Sequence, residues 1–181
     1  IIGINSSRPV SATIINSLKK LEYRGYDSAG VATLFGSEIN EVKSEGRVDN
    51  LEQNFDLKSL KGNIGIGHVR WATHGVPNSI NAHPHSSDSV SVVHNGIIEN
   101  STILKKHLIN KGHTFKSQTD TEVIVHLITE NLKTMELEEA ITKTLKQLHG
   151  SFALGIIFKE IQDLIVGARR GSPLAVGYGP N

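Results

Sequence analysis

Apolar residues recur along this chain at two spacings, and the order in which the two follow one another restricts the fold more than any other feature of the sequence. The β-branched run Ile1 to Ile4 suits a buried strand, and Asn5 to Pro9 supplies the turn that ends it. Val10, Ile14, Leu18 and Leu21 then repeat at helical spacing, which predicts a helix over Ser11 to Tyr23 that Arg24 to Ser28 breaks. Ala29 to Phe35 and Ile39 to Ser44 flank Gly36 and Ser37, a two-residue connection of the kind that closes a hairpin. After a mixed stretch from Glu45 to Lys61, Ile64 to Val69 and Val90 to His94 read as strands joined by a long polar loop, Arg70 to Ser89. Helices are predicted over Ile103 to Lys111, Thr121 to Leu132 and Leu137 to Leu148, with Gly112 and Gly150 as stops. Strands return at Phe152 to Phe158, Leu164 to Ala168 and Leu174 to Tyr178. Strands and helices come in blocks without regular alternation, which argues for an α+β fold over a doubly wound sheet.

At 181 residues the sequence is read as one domain, 1–181, able to bury roughly 70% of the surface its unfolded chain would expose. It needs no disulfide staple, and it contains no cysteine to make one. Lys plus Arg number 19 against 18 Asp plus Glu, so charge gives no reason to expect capture of nucleic acid or a membrane surface. No apolar run approaches the roughly 20 residues that span a bilayer, and the expectation is a cytoplasmic protein with a small-molecule partner. Met135 is the only methionine, the chain opens directly into an apolar strand, and it stops soon after another apolar segment. A piece of a longer protein is therefore expected.

Four segments combine glycine with polar or aromatic residues in ways that packing does not require: Leu21 to Gly30, Arg70 to Gly75, His94 to Asn100 and Ser117 to Val123. The first could be a helix end whose Asp27 or Ser28 bonds to nearby backbone. In the second, Arg70 offers a planar fork suited to a carboxylate, Trp71 a flat apolar wall, and Thr73 and His74 hydrogen bonds. Asn95 and Gly96 could form a tight turn with both residues at positive φ, or could supply a side-chain amide and a backbone N–H side by side for an oxyanion. Thr119 and Glu122 have the spacing of a capping box, which leaves Asp120 either to favour the helix dipole or to receive an ammonium group.

His74, His83, His85 and His94 could be combined into a metal site, but they lack the helical two-histidine spacing and any cysteine partner, and no metal or cofactor is expected. Gly62, Gly65 and Gly67 fit strand positions near a close contact better than a nucleotide loop, since no helix follows them.

Taken together and in order, the four segments, with Asn81 to His85 (NAHPH) and Gly171 to Leu174 (GSPL), resemble the glutaminase domain of class II glutamine amidotransferases. Within that family the resemblance is to the branch that makes glucosamine 6-phosphate from fructose 6-phosphate. It implies a four-layer αββα sandwich of the N-terminal-nucleophile hydrolase type, in which a terminal cysteine attacks the amide of L-glutamine with its own α-amine as base. By resemblance, Asn95 and Gly96 form the oxyanion hole, Arg70 binds the α-carboxylate and Asp120 the α-ammonium. Thr73 and His74 line the pocket, and Trp71 sits on the loop that closes it. Ile1, Ile2 and Gly3 match the third to fifth residues of the family pattern, so the nucleophile is expected two residues before Ile1, and the chain as written lacks it. The resemblance also implies an acceptor domain outside this chain that isomerises and aminates fructose 6-phosphate, and a homo-oligomeric full-length protein. The resemblance leaves open a phosphoribosyl pyrophosphate type amidotransferase domain, and the other readings are a glutamine-binding module without catalysis and an interaction domain.

Overall fold

The computed structural model describes residues 1–179 and is built from two antiparallel four-stranded sheets. The first contains β1 (Ile2–Asn5), β2 (Ser28–Phe35), β3 (Glu38–Glu45) and β4 (Ile64–Arg70) in the order β1-β4-β2-β3. The second contains β5 (His85–Ser86), β6 (Val90–Ile98), β7 (Gly150–Phe158) and β8 (Ile161–Arg170) in chain order. Helices α1 (Ser11–Leu21) and α2 (Asp49–Asn54) cover the first sheet, while α3 (Ser101–Asn110), α4 (Glu122–Leu132) and α5 (Leu137–Gln147) lie on the side of the second.

Strand periodicity builds this layering. On β4, Ile64 and Ile66 meet Ala32, Leu34, Val93 and Ile157 between the sheets. Gly65 and Gly67 point the other way, under α1. A Cβ on Gly65 would stand 2.7 Å from Ile14 Cδ1, and one on Gly67 2.6 Å from Ile14 Cγ2, so the glycines set how closely the helix can lie. On β7, Phe152, Leu154, Ile156 and Phe158 face α4 and α5 through a core that includes Ile124, Ile128 and Leu148. A third apolar layer, with Val10, Ile14, Leu18 and Val31, lies between α1 and the first sheet. Three cores separate four layers, in the order αββα.

Several elements depart from the sequence reading. The stretch 45–61 contains α2, and the long loop contains the short strand β5. Asn95 and Gly96 do not turn the chain: β6 runs through them to Ile98, with Asn95 opposite Ala153 and Gly96 opposite Phe152. Leu174 to Tyr178 is not a strand: among the described residues no strand pairs with it, and Val176 and Tyr178 are exposed. No capping box forms either: Thr121 precedes α4 without a side-chain cap, and Glu122 accepts from Lys116 N–H, Ser117 N–H and Ser117 O–H at 2.8, 2.7 and 2.6 Å.

Candidate active site

Three pieces of chain converge on one cavity of about 320 Å³: the end of β4 with the loop beyond it, the middle of β6, and the turn into α4. Arg70, Trp71, Thr73, His74, Asn95, Gly96 and Asp120 all line it, so the seven site residues that the sequence reading placed within the chain are brought together. Ile1, Leu21 and Arg24 complete part of the wall. A roomier cleft of about 580 Å³ opens beside Phe35, Leu57, Lys61 and Asp163, but none of the four segments reaches it.

Arg70 ends β4 and is buried. Burial draws its guanidinium below the ordinary value, against the opposing charges of Asp27 and Asp120, and it remains a cation. Its Nη2 donates to the carbonyls of His74 and Gly75, the latter at 3.3 Å, and Nη1 to Val76 at 3.4 Å. The loop is held from its far side as well. Asn81 Nδ2 donates to the Val76 carbonyl at 2.9 Å and to Gln118 Oε1 at 3.1 Å, while Val76 N–H donates to Gln118 Oε1 at 3.3 Å. The NAHPH and Ser117 to Val123 segments thus pin the Arg70 to Gly75 loop. Asp27 of the first segment accepts the Ala72 N–H at 2.6 Å, so that segment shapes the start of the same loop. Trp71 is exposed there, edge-on to Tyr26 at 6.4 Å.

Asn95 is exposed and lines the cavity. Gly96 has φ +140°, and a Cβ there would stand 2.1 Å from the Ser151 carbonyl oxygen, so only glycine fits this place on the strand. Asp120 is buried, and its Oδ2 accepts the Ile98 N–H at 2.7 Å. Its Oδ1 stands 4.0 Å from His94 Nδ1.

The sequence reading missed the inner wall, made by His68, His83 and His94 with Thr119 and Thr121. His68 shares the face of Ile64 and Ile66 on β4, which was a signal that a polar group enters the inter-sheet space. Burial drives His68 and His83 well below the usual histidine value, His85 to about 3 and His94 to about 4, so all four are neutral near pH 7. Their hydrogen bonds specify tautomers. His68 Nε2 donates to the His94 carbonyl at 2.8 Å, because a carbonyl can only accept. Burial raises the Glu122 carboxyl, but His126 Nε2 at 3.5 Å and the bonds from Lys116 and Ser117 outweigh it and lower Glu122 to about 2. Ser117 O–H is committed to that carboxylate at 2.6 Å, so Thr119 donates to Ser117 Oγ at 2.9 Å and His85 Nε2–H donates to Thr119 at 3.0 Å.

The arrangement offers a buried cation and a buried carboxylate that can grip the two charges of an amino acid, beside an amide and a backbone N–H that can receive developing negative charge. A model of the glutamine amidotransferase domain matches residues 68–178, which contain all these groups. Glutamine–fructose-6-phosphate aminotransferase (isomerizing) of Mesorhizobium japonicum is 55% identical over 180 residues, 99% of this chain and 30% of the relative. The Pyrococcus horikoshii enzyme of the same name is 50% identical over 182 residues, again 99% of this chain and 30% of the relative. The chain thus spans about a third of the length of the curated relatives it matches. Among solved structures, the glutamine phosphoribosylpyrophosphate amidotransferase of B. subtilis, complexed with ADP and GMP, superposes with a TM-score of 0.77 at 31% identity over 87% of this chain and 34% of that one. The αββα sandwich is that of the N-terminal-nucleophile hydrolases.

Proposed function

The chain belongs to the glutamine amidotransferase domain family, and from that premise we propose that it hydrolyses L-glutamine to glutamate and ammonia for the amination of fructose 6-phosphate. The observation that carries this reading is the single cavity on which Arg70, Asp120, Asn95 and Gly96 converge. Arg70 takes the α-carboxylate of glutamine, leaving its loop carbonyls in whole or part, and Asp120 takes the α-ammonium through Oδ1. Thr73 and His74 flank the bound side chain.

The nucleophile in this proposal is a cysteine two residues before Ile1, with its own α-amine as the proton acceptor. The strand register supports that position. Ile2 pairs with Gly67 and Gly3 with Ile66, so continuing the antiparallel pairing sets the position two residues before Ile1 opposite Arg70, at the cavity. Its sulfur attacks the amide carbon, the carbonyl π pair moves onto oxygen, and the Asn95 side-chain N–H and Gly96 backbone N–H hold the resulting oxyanion. Collapse breaks the C–N bond, and nitrogen leaves as ammonia with the proton returned by the amine. Water then cleaves the thioester to glutamate and regenerates the thiol.

The acceptor is inferred from the names of the most similar relatives, and the transfer requires further domains in the full-length protein, expected to be a homo-oligomer. The phosphoribosyl pyrophosphate alternative has lower identity on its side, 31% against 55%. The test is glutamate release by the full-length protein, followed with and without fructose 6-phosphate. Release coupled to formation of glucosamine 6-phosphate is expected. No glutamate above background defeats the proposal, and release without amination of the sugar defeats its acceptor half.

A further inference from the structure

Thr121 follows Asp120 directly, is fully buried, and has its hydroxyl 2.8 Å from His83 Nε2 and 2.9 Å from His94 Nδ1. A hydroxyl has one proton, and leaving that proton without an acceptor in so buried a place is costly, so it donates to one ring and accepts from the other. The Asp120 carboxylate decides which. With Oδ1 4.0 Å from His94 Nδ1, a lone pair on that nitrogen would face negative charge, whereas an N–H is favoured by it. His94 Nδ1–H therefore donates to Thr121, and Thr121 O–H donates to His83 Nε2. The imidazole spends its proton on the hydroxyl and not on the carboxylate. Asp120 Oδ2 is already engaged by the Ile98 N–H at 2.7 Å, which makes Oδ1 the oxygen left for a ligand.

We propose that Thr121 is a positioning residue for substrate selection: by accepting the His94 N–H it keeps that imidazole off Asp120 Oδ1 and reserves this oxygen for the α-ammonium of the substrate. The proposal rests on the glutamine-hydrolysing reading and deepens it. Without the hydroxyl, His94 Nδ1–H is left in a buried place where Asp120 Oδ1 is within a small ring rotation. An incoming ammonium would then have to displace the histidine.

The experiment compares wild-type, Thr121→Val and Thr121→Ser full-length protein on glutamine and on its des-amino analogue, which keeps the carboxylate and amide but has no ammonium. Thr121→Val is expected to raise KM for glutamine about tenfold, the scale of a lost charge-assisted bond, with kcat changed less than about threefold. The analogue should respond little, and Thr121→Ser should restore the glutamine KM. Equal losses on both substrates, or no loss on glutamine, overturn the proposal. If Thr121→Val does not fold, ¹⁵N-histidine NMR of the unaltered chain decides. Protons on Nδ1 of His83 and His94 and on Nε2 of His68 and His85 are expected, and a proton on Nε2 of His94 overturns the proposal. A wild-type protein that releases no glutamate condemns the functional reading, whereas an active wild type with an unaffected Thr121→Val condemns this proposal alone.

Discussion

Asn95 and Arg70 show how differently two residues of one cavity are built. Asn95 is exposed on a strand that pairing already fixes, so Asn95→Ala should leave the melting temperature unchanged. It should lower kcat by about 10²- to 10³-fold with little change in KM, the result of losing one donor to an oxyanion, measured by steady-state glutamate release. Arg70 is buried and splits its fork among three carbonyls. Arg70→Lys keeps the charge but not the planar geometry, so KM should rise about tenfold or more while kcat falls less. An unchanged KM would remove Arg70 from carboxylate binding. At this scale the sequence was readable where polar residues cluster beside glycine with no packing use, as in Arg70 to Gly75 and Asn95 to Gly96. The histidine wall was not readable, because its roles depend on the hydroxyls of Thr119 and Thr121, 34 and 38 residues away from His85 and His83. Spacing along the chain exposes metal pairs on helices but not such long-range pairings.

Among the elements, those with an unambiguous period were legible: α1 from Val10, Ile14 and Leu18, and the β2–β3 hairpin from its two-residue connection. Strand β6 was cut short in the reading because an Asn-Gly pair is a strong local turn signal. Pairing along β7 overrides it, with Gly96 required by the Ser151 carbonyl and not by a turn. The tail from Leu174 to Tyr178 alternates like a strand, but among the described residues no strand pairs with it. The closeness of α1 to β4 makes its own prediction. Gly67→Val places carbon where Ile14 and Leu18 already stand, at 2.6 and 3.0 Å from the first added atom. A loss of about 1–3 kcal/mol in urea unfolding is expected, and a neutral result would show that the helix lies farther from the strand than described.

The whole molecule buries four neutral histidines between its layers, and this sets its response to acid. An unfolded histidine takes up a proton near pH 6.5, whereas in the fold His94 resists until about 4 and His85 until about 3, and burial holds His68 and His83 well below the ordinary value. Folded values lie below unfolded ones, so the unfolded chain binds more protons as pH falls. The stability from these residues is complete above about pH 6.5 and is lost progressively below it, by at most about 1.4 kcal/mol per pH unit for each histidine. Glu122 adds a further loss between about 4.5 and about 2. Urea unfolding from pH 7 to 4.5 should show a steadily falling midpoint, and a flat profile would mean that the histidines are not held neutral. The same layering brings Ile1 just before β1, the end of β4 and the middle of β6 to one cavity, where the proposed glutaminase has its nucleophile beside Arg70. The most direct measurement is mass spectrometry of full-length protein, mixed with glutamine and rapidly quenched in acid. The account predicts one γ-glutamyl group in thioester linkage on a cysteine two residues before Ile1, and an adduct at any other residue, or none during active turnover, would contradict it.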